Sequence, residues 1–188
     1  MLTGGNIFLR IVTFQLLTVL FLSTHCFSQC HTGKDIWSSI LALENAFLTN
    51  AVKLQQAYRV KHEFEHCKLS RDSVYARLLH RIATLEFLEN GNKATKESVE
   101  YMLRAIAINN SDAPGSSPGY AVNSYYNLAV FYSSLDLNNK ALDYYDSVII
   151  SDNKLNLHSN IAIECRVGRA DILFKNGDFQ KCVDECTA

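Results

Sequence analysis

The stretch His62-Glu63-Phe64-Glu65-His66 is a literal H-E-x-x-H. On a helix, histidines four residues apart share one face and can ligate one zinc ion, with Glu63 placed to activate a bound water. That chemistry needs a third ligand. Glu97 and Glu100 follow His66 by 31 and 34 residues, in a helical segment with no strand to build a cleft beside it. Glu65 also puts a charge where such hydrolytic motifs keep uncharged residues. The spacing therefore predicts a solvated helix face, with no metal and no cofactor, and leaves a zinc hydrolase through His62, Glu63 and His66 as an alternative reading.

Cysteine chemistry is the other candidate. Beyond residues 1–28, which read as a cleaved leader, the chain carries Cys30, Cys67, Cys165, Cys182 and Cys186, an odd number that leaves at least one thiol free or intermolecular if the protein is exported. Cys182 and Cys186 stand one helical turn apart, awkward for a mutual disulfide. Antiparallel helices would instead bring Cys165 towards Cys186, so a Cys165–Cys186 bridge is one expectation and small buried apolar side chains the other. His66 and Cys67 are neighbours and point about 100° apart on a helix, so they make no nucleophile–base pair. Gly33-Lys34-Asp35 lacks the remaining residues of a phosphate loop. No enzyme is expected from these residues.

What positions them is a set of helices. Two prolines and eight glycines in 188 residues, with long helical periodicities, indicate an all-α class. Eighteen Lys and Arg against nineteen Asp and Glu leave a formal net charge of −1, with no basic block, so nucleic acid and anionic membrane surfaces are excluded as expected partners. Arg10 precedes the mostly apolar run 11–22, followed by small and polar residues through Gln29. That is the layout of a signal peptide at 1–28, cleaved at Cys26-Phe27-Ser28, and too short for a transmembrane helix. Lipidation at Cys30 is a second, poorer fit. The remaining residues are expected to be exported: periplasmic, cell-surface or secreted.

Within 29–188 the apolar spacing predicts helical hairpins at about 35–66, 73–108, 120–150 and 161–188. Asp35 is expected to cap a first helix bearing Ile36, Trp37, Ile40, Leu41, Leu43 and Phe47. Thr49-Asn50 reads as a turn, Asp72 or Ser70 as an N-cap, and Gly91 as a turn residue with positive φ. Asn109 to Tyr120 reads as a surface loop between hairpins or a partner-contacting one. It opens with Asn109-Asn110-Ser111, formally a glycosylation sequon. Ser151 to Asn160 reads as an irregular connection. The last hairpin stops within its second helix at Ala188, which suggests a truncated chain or the N-terminal part of a larger protein.

The segment 122–150 carries the strongest pattern. Tyr125, Leu128, Ala129 and Tyr132 fall at i, i+3, i+4 and i+7, and after a polar turn Ala141, Tyr145 and Val148 resume the stripe. Small Ala129 and Ala141 allow close helix approach while tyrosines fill the wedge to the next pair. This pattern resembles the tetratricopeptide repeat (TPR); 161–188 and 36–108 share the resemblance, with Arg166 and Arg169 standing where the central repeat has aromatic or Leu residues. The signal followed by KHEFEHC and DSVYARLLHRIA also looks like the start of exported bacterial repeat proteins, some of which continue into a CHAT peptidase domain or a sensor kinase.

The resemblance implies a right-handed superhelix of antiparallel helical hairpins, a TPR-like α-solenoid. It implies a noncatalytic protein–protein interaction scaffold that binds a peptide or partner protein in its concave groove. The first helix of each pair would line that groove, through Asn123, Tyr126, Asn127, Val130 and Ser133, then Glu164, Val167, Gly168 and Asp171. The alternative is a sensing or regulatory region of a larger enzyme. Partner identity and oligomeric state are not set by the sequence.

Overall fold

The structure is a computed structural model that describes residue 30 and residues 33–45, 47–157 and 159–187. The expected signal peptide, 1–28, and the terminal Ala188 lie outside the described residues. Among the described residues there are eight helices and no strand. They are α1 (Gly33–Asn45), α2 (Asn50–His66), α3 (Ser73–Glu89), α4 (Lys96–Asn109), α5 (Pro118–Ser134), α6 (Asn138–Leu155), α7 (Ile161–Lys175) and α8 (Phe179–Thr187).

The helix starts follow local chemistry. Thr49 accepts the Val52 N–H at 3.4 Å and Asp72 accepts the Val74 N–H at 2.9 Å, each satisfying a donor that the first turn leaves unpaired. Thr95 and Ser98 form a reciprocal capping box. Pro118 opens α5 in the first turn, where its missing N–H costs nothing. Between α3 and α4, Gly91 takes φ +66°, as its place in the turn requires.

Several expected boundaries move. Asp35 does not cap α1, because the helix already begins at Gly33 and places Asp35 in its first turn. Phe47 is not on α1 either; the helix ends at Asn45 and Phe47 is fully exposed. The loop before α5 is shorter than 109–120, since Asn109 completes α4 and Pro118 begins α5. That loop is also tied down, with the Ser73 N–H donating to the Gly115 carbonyl at 3.1 Å. Asn109 is 2 % exposed, so the sequon asparagine is not presented by the folded chain. The connection expected from Ser151 begins as helix: α6 runs to Leu155 and stops where Asn156 turns left-handed at φ 54°. Asp152, buried at its end, accepts from both the backbone N–H and the hydroxyl of Ser159, which closes the link to α7.

Each helix packs against its successor in chain order. The odd-numbered helices α1, α3, α5 and α7 also pack against one another in sequence, while the even-numbered ones touch only their neighbours in the chain. The odd helices therefore form one layer and the even helices a second. One cluster of buried residues spans α1 to α3 and reaches Ala105; the other runs from Ala83 to Ile172. Ala129 and Ala141 are both fully buried, and Tyr132 and Tyr145 nearly so. The small residues let α5 and α6 approach, and beside them the Tyr144 ring stacks on Tyr132 and lies tilted against Tyr125. Arg169 finds carboxylates on both flanking helices, Asp146 on α6 and Glu185 on α8. A charged residue in an apolar slot is thereby paired across the layer instead of stranded.

Candidate functional site

The odd-helix layer holds a cavity of about 430 Å³ between α3 and α5. It is lined by Glu44, Ala76, Arg77, His80, Arg81, Asn109, Tyr120, Asn123, Ser124 and Asn127. This is the size range of ordinary ligand sites. Helix α3 is buried nearly all round, with Tyr75, Leu78, Leu79, Ile82 and Leu85 at 1 % exposure or less. Its remaining strip, Arg77, His80 and Arg81 at i, i+3 and i+4, is polar and faces the cavity. Ser124 and Asn127 present the matching strip of α5.

His80 is held at both nitrogens. Its Nδ1 lies 2.9 Å from Ser124 Oγ and its Nε2 3.3 Å from Asn127 Nδ2. The Asn127 amide also donates to the Asn123 carbonyl at 3.1 Å, so its nitrogen is the donor towards Nε2. The imidazole must then carry its proton on Nδ1 and donate to Ser124. This is the neutral ring. Burial, with the nearby guanidinium groups of Arg77 and Arg81, pushes the His80 pKa down to about 4.

The two arginines differ. Arg77 forms a fork on Glu44 of α1, with nitrogen–oxygen distances of 2.8 to 3.0 Å. Its guanidinium also lies 5.1 Å from the Trp37 ring and 6.0 Å from the Tyr120 ring. Arg81 has no ion pair or side-chain hydrogen bond among the described residues, and its Nε is buried without a partner. Asn109, closing α4 beside the cavity, has a buried Oδ1 that is also unpartnered. Unsatisfied buried polar groups are uncommon and call for an explanation.

Of the expected groove residues, Asn123 and Asn127 line this cavity. Tyr126 and Glu164 meet at the next step of the layer, where burial and then the Glu164 carboxylate raise the tyrosine pKa. Val130 and Ser133 lie farther along α5, partly buried, and line no part of it. The other three α7 residues line no part of this cavity. Val167 is exposed in a separate depression between α7 and α8, with Ile163, Arg166, Glu185 and Cys186. Asp171 pairs with Lys175 on its own helix. Gly168 is a packing seat, since a Cβ there would stand 2.5 Å from Cζ and Oη of Tyr145. The residues that the sequence reading missed are Glu44, Arg77, His80, Arg81, Asn109 and Tyr120. The available signal was a polar strip of i, i+3, i+4 spacing within the otherwise apolar stretch from Val74 to Ala83.

The H-E-x-x-H residues lie elsewhere. His62 and His66 are exposed on α2 with their rings stacked 6.2 Å apart. Glu65 is engaged by Tyr75 at 2.6 Å and Lys61 at 2.9 Å. Glu100 pairs with Lys96. Among the described residues no three His, Cys, Asp or Glu are grouped to hold a metal ion. The expected Cys165–Cys186 bridge is not formed: Cys165, Cys182 and Cys186 are free thiols, Cys165 buried within the α6–α7 packing and Cys186 exposed. Antiparallel helices do bring the segments together, but Cys165 points into the core while Cys186 faces solvent. Cys67, in contrast, is held in a disulfide. Among the described residues, no helix is long and apolar enough to cross a membrane.

Comparison of the chain with family models, with curated proteins and with solved structures finds no match.

Proposed function

We propose that the chain is a noncatalytic binding module whose hairpins form a TPR-like, right-handed α-solenoid, with the ligand taken in the groove of its odd-helix layer. The carrying observation is the cavity between α3 and α5, which is lined by polar side chains on rigid helices and contains both Asn123 and Asn127. Packing in chain order, with only alternate helices meeting beyond their neighbours, supports the solenoid. The ligand is a peptide or a segment of a partner protein. Binding in an exported setting accords with the N-terminal apolar run and with disulfide-bonded Cys67.

Selection of random displayed peptides on the whole chain tests this. Peptides should be recovered whose affinity falls at least tenfold in Asn127→Ala and is unchanged in Asp143→Ala, an exposed residue of α6. Peptides that bind both variants as well as the parent would place recognition outside the groove and sink the reading.

A further inference from the structure

We infer that the α3–α5 cavity recognises a carboxylate with an N–H donor beside it, as an acidic residue inside an extended peptide presents. This rests on the binding-module reading above and names the ligand chemistry of that site. Arg77 and Arg81 stand one turn apart on the same strip of α3, and both line the cavity. Arg77 already holds a carboxylate, Glu44, contributed by the neighbouring helix. Arg81 holds none. With His80 neutral, the cavity lining sums to one uncompensated positive charge: Arg77 and Glu44 cancel, and Arg81 remains.

Arg81 is half-buried with no counter-charge beside it, and its buried Nε still needs an acceptor. Asn109 needs the opposite. Its carboxamide is 2 % exposed, with Oδ1 unpartnered on the same cavity, and it asks for a donor. His80 cannot serve either group, because Ser124 and Asn127 use both its nitrogens. One ligand group satisfies both demands when its carboxylate meets Arg81 and an adjacent N–H meets Asn109. A peptide Asp or Glu provides such a pair through its side chain and a backbone amide. Tyr120, at the edge of the cavity and 44 % exposed, offers a flat apolar flank for the neighbouring peptide.

The test uses the peptides recovered from display on the whole chain, resynthesised with acetylated N-termini and amidated C-termini. The expected result is an Asp or Glu at one fixed interior position, at least tenfold weaker binding when it is changed to Asn or Gln, and a matching loss in Arg81→Gln. Asn109→Leu should weaken binding without removing the preference for an acidic residue. Arg81→Lys, which keeps the charge but not Nε, should bind between the parent and Arg81→Gln, and thermal melts confirm that each variant folds. Peptides that bind in the groove with no acidic preference, or unchanged affinity in a folded Arg81→Gln, would overturn the inference while leaving the module reading intact. A preference met only by a free C-terminal carboxylate, or equally by N-acetylaspartate, would also overturn it in favour of a terminal or small-molecule acid. Failure of Asn127→Ala to matter would instead remove the underlying groove.

Discussion

Acidification should destabilise this protein through His80 in a narrow and calculable window. In the unfolded chain the imidazole titrates near its ordinary 6.5, whereas in the folded chain it is pushed down to about 4. Between those values the unfolded state binds the extra proton, so folding free energy is fully present above pH 6.5, falls as pH drops towards 4, and changes no further from this group below that. At pH 5 the two titrations differ by about 2 kcal/mol, and the full difference approaches about 3 kcal/mol. Carboxylates also titrate below pH 5, so the comparison must be differential. Urea unfolding of the parent and of His80→Gln at pH 7.5, 6, 5 and 4.5 isolates the histidine. The variant is expected to be less stable than the parent at pH 7.5, since Gln does not reproduce the Ser124 and Asn127 contacts, and to lose about 2 kcal/mol less than the parent on going to pH 5. Parallel pH profiles would refute the neutral, doubly hydrogen-bonded ring.

Other expectations follow from single contacts. Gly168→Ala should destabilise by about 1 to 3 kcal/mol, because the new methyl meets the Tyr145 ring. An unhindered helix glycine would instead gain up to about 1 kcal/mol from alanine, so the sign of the change in a thermal melt decides the point. Glu44→Gln should loosen α1 by about 1 kcal/mol, since the fork to Arg77 is partly exposed and screened. Hydrogen exchange over 36–44 should quicken several-fold, and more salt should shrink the difference. Alkylation of the native protein without reductant should label Cys186 first and Cys165 last, as Cys165 is fully buried and its thiol is pushed up to about 12, first by burial and then by Glu164 and Asp152. Rapid labelling of Cys165 would contradict its place in the core.

Local order in this chain was legible because it depends on near neighbours. The 3.6-residue spacing of Ile36, Ile40 and Leu43, the capping oxygen at Asp72, and Gly91 in its turn are chemistry within a few residues, and each is where the pattern placed it. The Ala129 and Ala141 approach was legible for the same reason, since paired small residues across a short turn admit one close packing. Boundaries were less so. α6 runs on to Leu155 because Asp152 is buried and bonded to Ser159, a partner seven residues away that no helical period announces.

The cavity belongs to tertiary structure. Glu44, Arg77, Asn109 and Asn127 come from four different helices, and nothing in their spacing says they meet. Which face of an odd helix looks into the layer depends on how each hairpin rotates against the next, and long-range packing sets that rotation. The sequence by itself determined an all-helical chain, the cap at Asp72 and the turn at Gly91. The tertiary structure decided that Gly168 seats a tyrosine, that Cys165 and Cys186 stay apart, and that Arg81 and Asn109 share a cavity. The first group rests on interactions within one or two turns; the second rests on contacts between helices, where side-chain direction counts and sequence distance does not.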